Sequence, residues 1–203
     1  DGSFSISGSR SVSATAPYTP HEARDLGIAH VPEDRHHMGL VTAFPAFENH
    51  ILGHHGWDQF NNGVLLDRMA AITDCSAEME RYDVRPPNPH LGAAMFSGGN
   101  QQKIVLAREL ETRPKLLLVG QPTRGVDIGA IEFIHNTLVA MRDRGAAVLL
   151  VSVELDEIMS LADRILVMSD GRIVGEMSTA EADPKPIGLM MANISEGNAP
   201  QDS

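Results

Sequence analysis

The sequence predicts an α/β fold built on a largely parallel sheet, with a small helical subdomain beside it. Three observations carry that expectation. From residue 96 onward, strand-sized apolar runs alternate with helix-period segments, the pattern of βαβ units. Between residues 41 and 95 the texture changes to short apolar patches punctuated by Pro, Gly, Asn and His. Near the end, Asp170-Gly171 separates two alternating runs, a strong two-residue hairpin signal.

Taken in order, residues 1–20 are rich in Ser, Gly, Thr and Pro and read mostly as loop, with alternation over Ser3–Ser7 that suggests a short edge strand. Residues 21–27 form a helical turn ended by Gly27, and Ile28–Val31 a short strand stopped by Pro32. Residues 1–40 make a partial N-terminal β portion. Residues 41–95 are the helical subdomain, with Ala70–Tyr82 its clearest helix. Residues 96–192 are the α/β core. Ser97-Gly98-Gly99 precedes a helix from Asn100 to Glu111, which stops near Pro114. Lys115–Gly120 reads as a buried strand. Ile128–Arg144 is a long helix whose Ile131, Ile134, Leu138 and Met141 share one face, with Gly145 as its C-terminal cap. Ala146–Val151 is a second buried strand and Glu154–Leu161 a short helix. Arg164–Ser169 and Arg172–Met177 form the hairpin. Residues 193–203 are a flexible tail. There is no internal repeat.

Composition narrows the function classes. The 203 residues suit one domain, or one domain plus an appendage. Hydrophobic residues at 42% and charged residues at 21% allow a packed core. A net charge of -11 repels phosphate backbones and argues against a nucleic-acid partner. The one cysteine, Cys75, rules out a disulfide within the chain and fits a reducing compartment, where it reads as inert and half-buried. No run reaches the ~20 apolar residues of a membrane span, and Asp1–Gly8 does not read as a signal peptide. A cytoplasmic location is expected; at a membrane, the chain would dock onto another subunit.

The segment richest in chemistry is Phe96-Ser97-Gly98-Gly99-Asn100-Gln101-Gln102-Lys103, followed by Leu106-Ala107-Arg108. Glycines let backbone approach an anion. Ser97 can cap the helix and offer its hydroxyl, and the free N–H groups and positive dipole end face negative charge. Alone, Ser-Gly-Gly also fits a plain capped turn. The spacing to Lys115–Thr123 and then Arg124-Gly125-Val126-Asp127 sharpens it. The pair resembles the signature motif, Walker B strand and D-loop of ATP-binding cassette (ABC) ATPases. Val31-Pro32-Glu33-Asp34-Arg35 with Gly39-Leu40 resembles the Q-loop region in the second ATPase domain of simple-sugar and nucleoside importers. Val151-Ser152-Val153-Glu154-Leu155-Asp156-Glu157 resembles their switch region, and Ile187–Ala192 matches near the end. The resemblance covers about residues 22–192. It implies a P-loop NTPase sheet with a helical subdomain, and ATP with Mg2+ in the complete site.

Three departures from a working ATPase stand out. There is no G-x-x-x-x-G-K-[ST] phosphate loop; the nearest look-alike, Gly2 to Arg10, lacks the lysine and the following helix. The domain therefore looks truncated, with a phosphate loop expected upstream of Asp1 and a whole second ATPase domain before it. The family places an Asp at the position of Gly120 and a Glu at that of Gln121. Glycine supplies no oxygen, and a neutral amide is no general base, a loss worth roughly 10²–10⁴ in rate. The switch histidine aligns with Val153. The resemblance thus implies a split of labour in a head-to-tail dimer of ATPase domains. Ser97, Gly98, Gly99 and Asn100 complete the partner's nucleotide site in trans, while this chain's own site is degenerate and the isolated chain is inactive. Transmembrane permease subunits would be the other partners, at the cytoplasmic face of the membrane. Gln121-Pro122 resembles the ATPase subunits of nucleoside importers, and that resemblance implies a nucleoside cargo over a simple sugar.

Other residues keep two readings. Glu33 stands where other ABC domains carry the Q-loop glutamine, or is a surface acid. Asp127 is a D-loop aspartate, a helix N-cap, or both. His36-His37 and His54-His55 read as solvated loop histidines, and no metal site is expected. Phe44, Phe47, Trp57 and Phe60 form either core or an anchor patch for a permease helix. Arg142-Asp143-Arg144 reads as a solvated helix end. Two rival functions remain: a non-catalytic regulatory pseudo-ATPase, supported by the missing carboxylates, and a DNA-maintenance ABC-type ATPase, opposed by the acidic balance.

Overall fold

The structure is a computed structural model that describes residues 16–192, together with the backbone of 3–4 and 12–13. The chain divides into two compact units, Asp1–Val151 and Ser152–Ser203.

In the first unit, β1 (Ser3–Phe4) and β2 (Val12–Ser13) pair antiparallel; the remainder of the expected Ser3–Ser7 strand lies outside the described residues. Helix α1 (Pro20–Asp25) starts with a full capping box, Thr19 and Glu22 each satisfying the other's backbone N–H. Gly27, at φ 78°, turns the chain into β3 (Ile28–Val31). Arg35–Gly39 then winds into a π-helical turn, a feature no local pattern announces. The subdomain follows with α2 (Ala46–His50), a tight turn at Asp58–Phe60, the ribbon β4 (Asn61–Asn62) and β5 (Leu65–Leu66), and α3 (Arg68–Arg81). Then come α4 (Gly98–Leu110), β6 (Leu116–Gly120), α5 (Ile128–Asp143) and β7 (Ala147–Val151).

Strands β3, β6 and β7 form a parallel sheet in that order, with Val31 beside Val119 and Gly120 beside Val151. The parallel arrangement follows from helices between consecutive strands. Leu117 and Val119 of the central strand are sealed from solvent. Helix α4 packs against α2, α3, α5 and β3, and every residue from Gln101 to Leu110 is buried. Helix α5 buries Ile134, Leu138 and Met141 as its period predicts. Strand β7 departs from expectation. Leu149 is 52% exposed and Val151 59%; among the described residues β7 is an edge strand with only β6 beside it.

The subdomain core holds Phe47, Phe60, Ala71, Cys75 and Met79. Phe44 and Trp57 are exposed, so of the four aromatics only Phe47 and Phe60 belong to this core. Cys75 is fully buried, and burial pushes its thiol up to about 12, which leaves it unreactive. Asn49 is sealed inside. Its Oδ1 accepts from the N–H of Val41 at 2.7 Å, and its Nδ2 donates to the Val41 carbonyl at 3.0 Å, pinning that loop.

Of the paired histidines, His36, His37 and His55 are exposed, but His54 is not. It is 3% exposed, its ring lies 4.3 Å from that of Trp57, and neither ring nitrogen has a hydrogen-bond partner among the described residues. Sequence alternation could not show that the short turn after α2 folds this side chain inward.

The second unit contains α6 (Leu155–Leu161), the antiparallel ribbon β8 (Arg164–Ser169) and β9 (Arg172–Ser178), and α7 (Pro184–Met191). Asp170 and Gly171 both take positive φ, 48° and 72°, as the two-residue hairpin requires. Ile165, Val167 and Ile187 form its core. The expected tail, 193–203, lies outside the described residues.

Burial of His54 gives a testable pH dependence. Burial holds the folded-state pKa down to about 4, against 6.5 for the free side chain. Between those values the unfolded chain binds the proton and the folded one does not. Stability therefore falls as pH drops from about 6.5 to about 4 and this contribution levels off below, a loss of the order of 3 kcal/mol. Urea melts from pH 7 to 4 should show the slope, and His54→Leu should flatten it.

Candidate functional site

Ser97 is the N-cap of α4. Its Oγ accepts from the Asn100 N–H at 3.4 Å and from Asn100 Nδ2 at 2.9 Å, and Asn100 Oδ1 in turn accepts from the Arg85 N–H at 2.7 Å. Ser97 is exposed, Gly98 and Asn100 are half-buried and Gly99 is buried. The N–H groups of Gly98 and Gly99 lie in the first turn, where a helix offers no internal acceptor, and no other described residue accepts from them. With the helix dipole behind them they make a donor set for an anion.

Packing explains why two glycines stand here. A Cβ at Gly98 would lie 2.5 Å from the Gly125 carbonyl oxygen and 2.7 Å from Arg35 Nη2. A Cβ at Gly99 would lie 2.8 Å from the Cβ of Ala130 and 3.0 Å from Asp127 Oδ2. The start of α4 thus presses against the loop that follows β6. That loop begins at Gln121, which holds φ 45° and donates its N–H to the Val151 carbonyl at 2.8 Å. It ends at Asp127, which caps α5 by accepting the Ala130 N–H at 2.9 Å.

The segment after β3 closes on the same loop. Glu33 pairs with Arg124 at 2.6 Å, both side chains being more than half exposed, so the pair adds little stability by itself. Arg35 donates through Nη1 to the Arg124 carbonyl at 2.9 Å and through Nη2 to the Gly125 carbonyl at 3.3 Å. Its Nε donates to Gln101 Oε1 at 3.3 Å, which also meets His36 Nε2 at 2.7 Å. Asp34 accepts the N–H groups of His37 and His36, and these bonds hold its carboxyl below the usual range. The sequence gives Arg35 no separate task, because its partners lie 66 to 90 positions away.

Beside the first turn of α4 opens a cleft of about 270 Å³, lined by Arg85, Gly99, Asn100, Lys103 and Asp127 among others. Lys103 Nζ is held by the Asp83 carbonyl at 2.9 Å and its carboxylate at 3.2 Å, above the Phe133 ring at 4.6 Å.

The expected degenerate positions separate. Gly120 and Gln121 lie at the end of β6, whereas Val153 is in the second unit and 64% exposed. A side chain at Gly120 would meet the Glu33 N–H, since its Cβ would lie 3.1 Å from that nitrogen. None of the three offers a carboxylate. A hydrated divalent cation and a general base each need one there, so these positions do not fit Mg2+-assisted hydrolysis.

The tight contact at the start of α4 is testable. Gly98→Ala should destabilise the chain by about 1–3 kcal/mol, since the neighbouring atom is backbone. Gly92→Ala has open space around it and should stay within about 0.5 kcal/mol. Denaturant midpoints of the two variants decide the matter.

Comparison with known proteins places these features in a family context. No family model matches the chain. It is 42% identical over 181 residues to the guanosine import ATP-binding protein NupO of Bacillus subtilis, matching 89% of this chain and 36% of that protein. It is 42% identical to the nucleoside import ATP-binding protein NupA of Lactococcus lactis, over 87% of this chain and 35% of the relative. It is 38% identical to the xylose import ATP-binding protein XylG of Thermoanaerobacter pseudethanolicus, over 83% and 33%. The chain thus spans about a third of the length of these curated relatives. Among solved structures, a nucleotide-free ATP-binding cassette from an ABC transporter superposes with a TM-score of 0.67 at 20% identity, over 88% of this chain and 73% of that one. The dimeric cassette MJ0796 gives 0.62 at 21%, over 77% and 65%. The chain has the fold of the ATP-binding cassettes of ABC transporters, and in sequence it is similar to ATP-binding proteins of nucleoside and sugar import.

Proposed function

We propose that this chain is the second, C-terminal ATPase domain of an importer subunit that couples ATP to uptake of a nucleoside or simple sugar. It lends the start of α4 to a nucleotide held by a partner domain docked head to tail. One pairing carries the reading: an open donor set at Ser97–Gly99 coexists with a carboxylate-free strand end at Gly120 and Gln121. One half of an ATPase site is in working order, and the other is not.

The donors suit a terminal phosphate. Ser97 Oγ accepts from Asn100, which leaves its own proton to give. The N–H groups of Gly98 and Gly99 flank it, and α4 holds all three in place, so no reorganisation is needed as charge develops. When bound, ATP with Mg2+ supplies the phosphoryl group and its counter-charge; the partner's Walker groups would hold it. Asp127 sits beside Gly99 and would report across the dimer while still capping α5. Glu33, at the tip of the segment after β3, would sense the state of this chain's own degenerate site and pass it to the membrane subunit. Residues 41–95 would act as the helical subdomain facing permease subunits, and 96–192 as the core.

The cargo lean toward nucleosides rests on Gln121-Pro122; relatives named for guanosine and nucleoside import are 42% identical and those named for xylose import 38% and 41%. Among the described residues no helix is long and apolar enough to cross a membrane, in keeping with a peripheral seat on the cytoplasmic face. A solved cassette of similar fold is a dimer, in keeping with the partner domain. A second reading, a purely regulatory pseudo-ATPase domain, is favoured by Gly120 and Gln121 alone.

In the full-length subunit assembled with its permease, Ser97→Arg should lower ATP turnover and uptake about 100- to 1000-fold. Unchanged uptake would end the trans-acting reading. A complete assembly that never hydrolyses ATP would favour the regulatory one.

A further inference from the structure

We infer that Arg35 is a positioning residue, whose guanidinium sets the start of α4 against the loop after β6 and so aims the N–H groups of Gly98 and Gly99. The inference rests on the trans-acting role proposed for that donor set.

Three segments far apart in sequence meet on one planar group. Nη1 and Nη2 hold two successive carbonyls, Arg124 and Gly125, and Nε holds the side chain of Gln101, one turn into α4. The first two acceptors are backbone oxygens, so these bonds dictate where the backbone lies rather than neutralise a charge. Nη2 also occupies the space beside Gly98, 2.7 Å from where a Cβ would sit. Gly98 is therefore wedged between the Arg35 fork and the Gly125 carbonyl, and its position follows theirs.

The fork is itself anchored from behind. Asp34 caps the π-helical turn through the N–H groups of His36 and His37, at 3.0 Å each. Gln101 is buried, its Oε1 meets His36 Nε2, and its Nε2 donates to the Ala93 carbonyl at 3.0 Å. Glu33 pins the Arg124 side chain from the other end. Only a rigid, planar cation with several divergent N–H groups satisfies this geometry. A lysine carries equal charge on a single point and can hold at most part of the set. The residue that tunes the donor set thus lies outside it, in the segment after β3.

The test uses the full-length subunit assembled with its permease, comparing wild type, Arg35→Lys and Ser97→Arg. Arg35→Lys should lower kcat for ATP about 10- to 100-fold, the scale of a small misplacement of catalytic donors. KM for ATP should stay within about twofold, because the bulk of nucleotide binding belongs to the partner. Hydrogen exchange should quicken at residues 98–101 and 124–127 and nowhere else. Wild-type kcat in Arg35→Lys beside a dead Ser97→Arg overturns the inference and leaves the proposed function standing. Exchange that quickens across the whole chain also overturns it, since Arg35 is then a general stabiliser. Full turnover in Ser97→Arg removes the proposed function itself, and with it this inference.

Discussion

Helix α4 is walled in on every side from Gln101 to Leu110, and the architecture of the first unit answers to that constraint. A helix with no solvent face cannot leave its polar side chains to water, and an unpaired buried charge costs several kcal/mol. Most of its polar side chains find partners in neighbouring elements, although Gln102 Nε2 has none among the described residues. Arg108 donates to the carbonyls of Gly39 and Asn49 and to the Glu109 carboxylate at 2.8 Å. Glu109 reaches the His30 N–H of β3 at 3.4 Å. Gln101 finds Ala93, and Lys103 finds Asp83. Those bonds reach the strand before the π-helical turn, the turn itself and the subdomain. The helix is a hub because its burial obliges it to be one.

The same constraint places the candidate site. Since the body of α4 is fixed, its first turn is fixed too, and that turn is where the helix emerges. Ser97 is exposed while Gly99, two residues on, is already buried. Donors at such a boundary are both reachable and immobile, which is what electrostatic stabilisation of a developing charge requires. The absence of side chains at Gly98 and Gly99 lets the loop after β6 close to contact distance, so the donor set and the Asp127 cap share one wall.

The strand end at Gly120 is the counterpart. Restoring an acidic side chain there would bring it against the Glu33 N–H, and Glu33 is tied to Arg124. Glycine at position 120 thus lets the segment after β3 lie close to the end of β6.

Much of this was legible in the amino-acid sequence because it is local. A Ser before two glycines caps a helix, apolar residues at three- and four-residue spacing bury one face of α5, and Asp170-Gly171 turns a hairpin; each needs only neighbours within a few positions. The ordered motifs gave the family resemblance for the same reason, being short and contiguous. What only the tertiary structure decided is long-range. Which carbonyls Arg35 would hold, that His54 would turn inward while His55 faced solvent, that Leu149 and Val151 of an apolar strand would stand half-exposed, and that α4 would be buried all round depend on segments tens of residues apart. Sequence periodicity reports which face of an element is apolar. It does not report which neighbour arrives to cover it, and in this chain the arrangement of the candidate site is set by those arrivals.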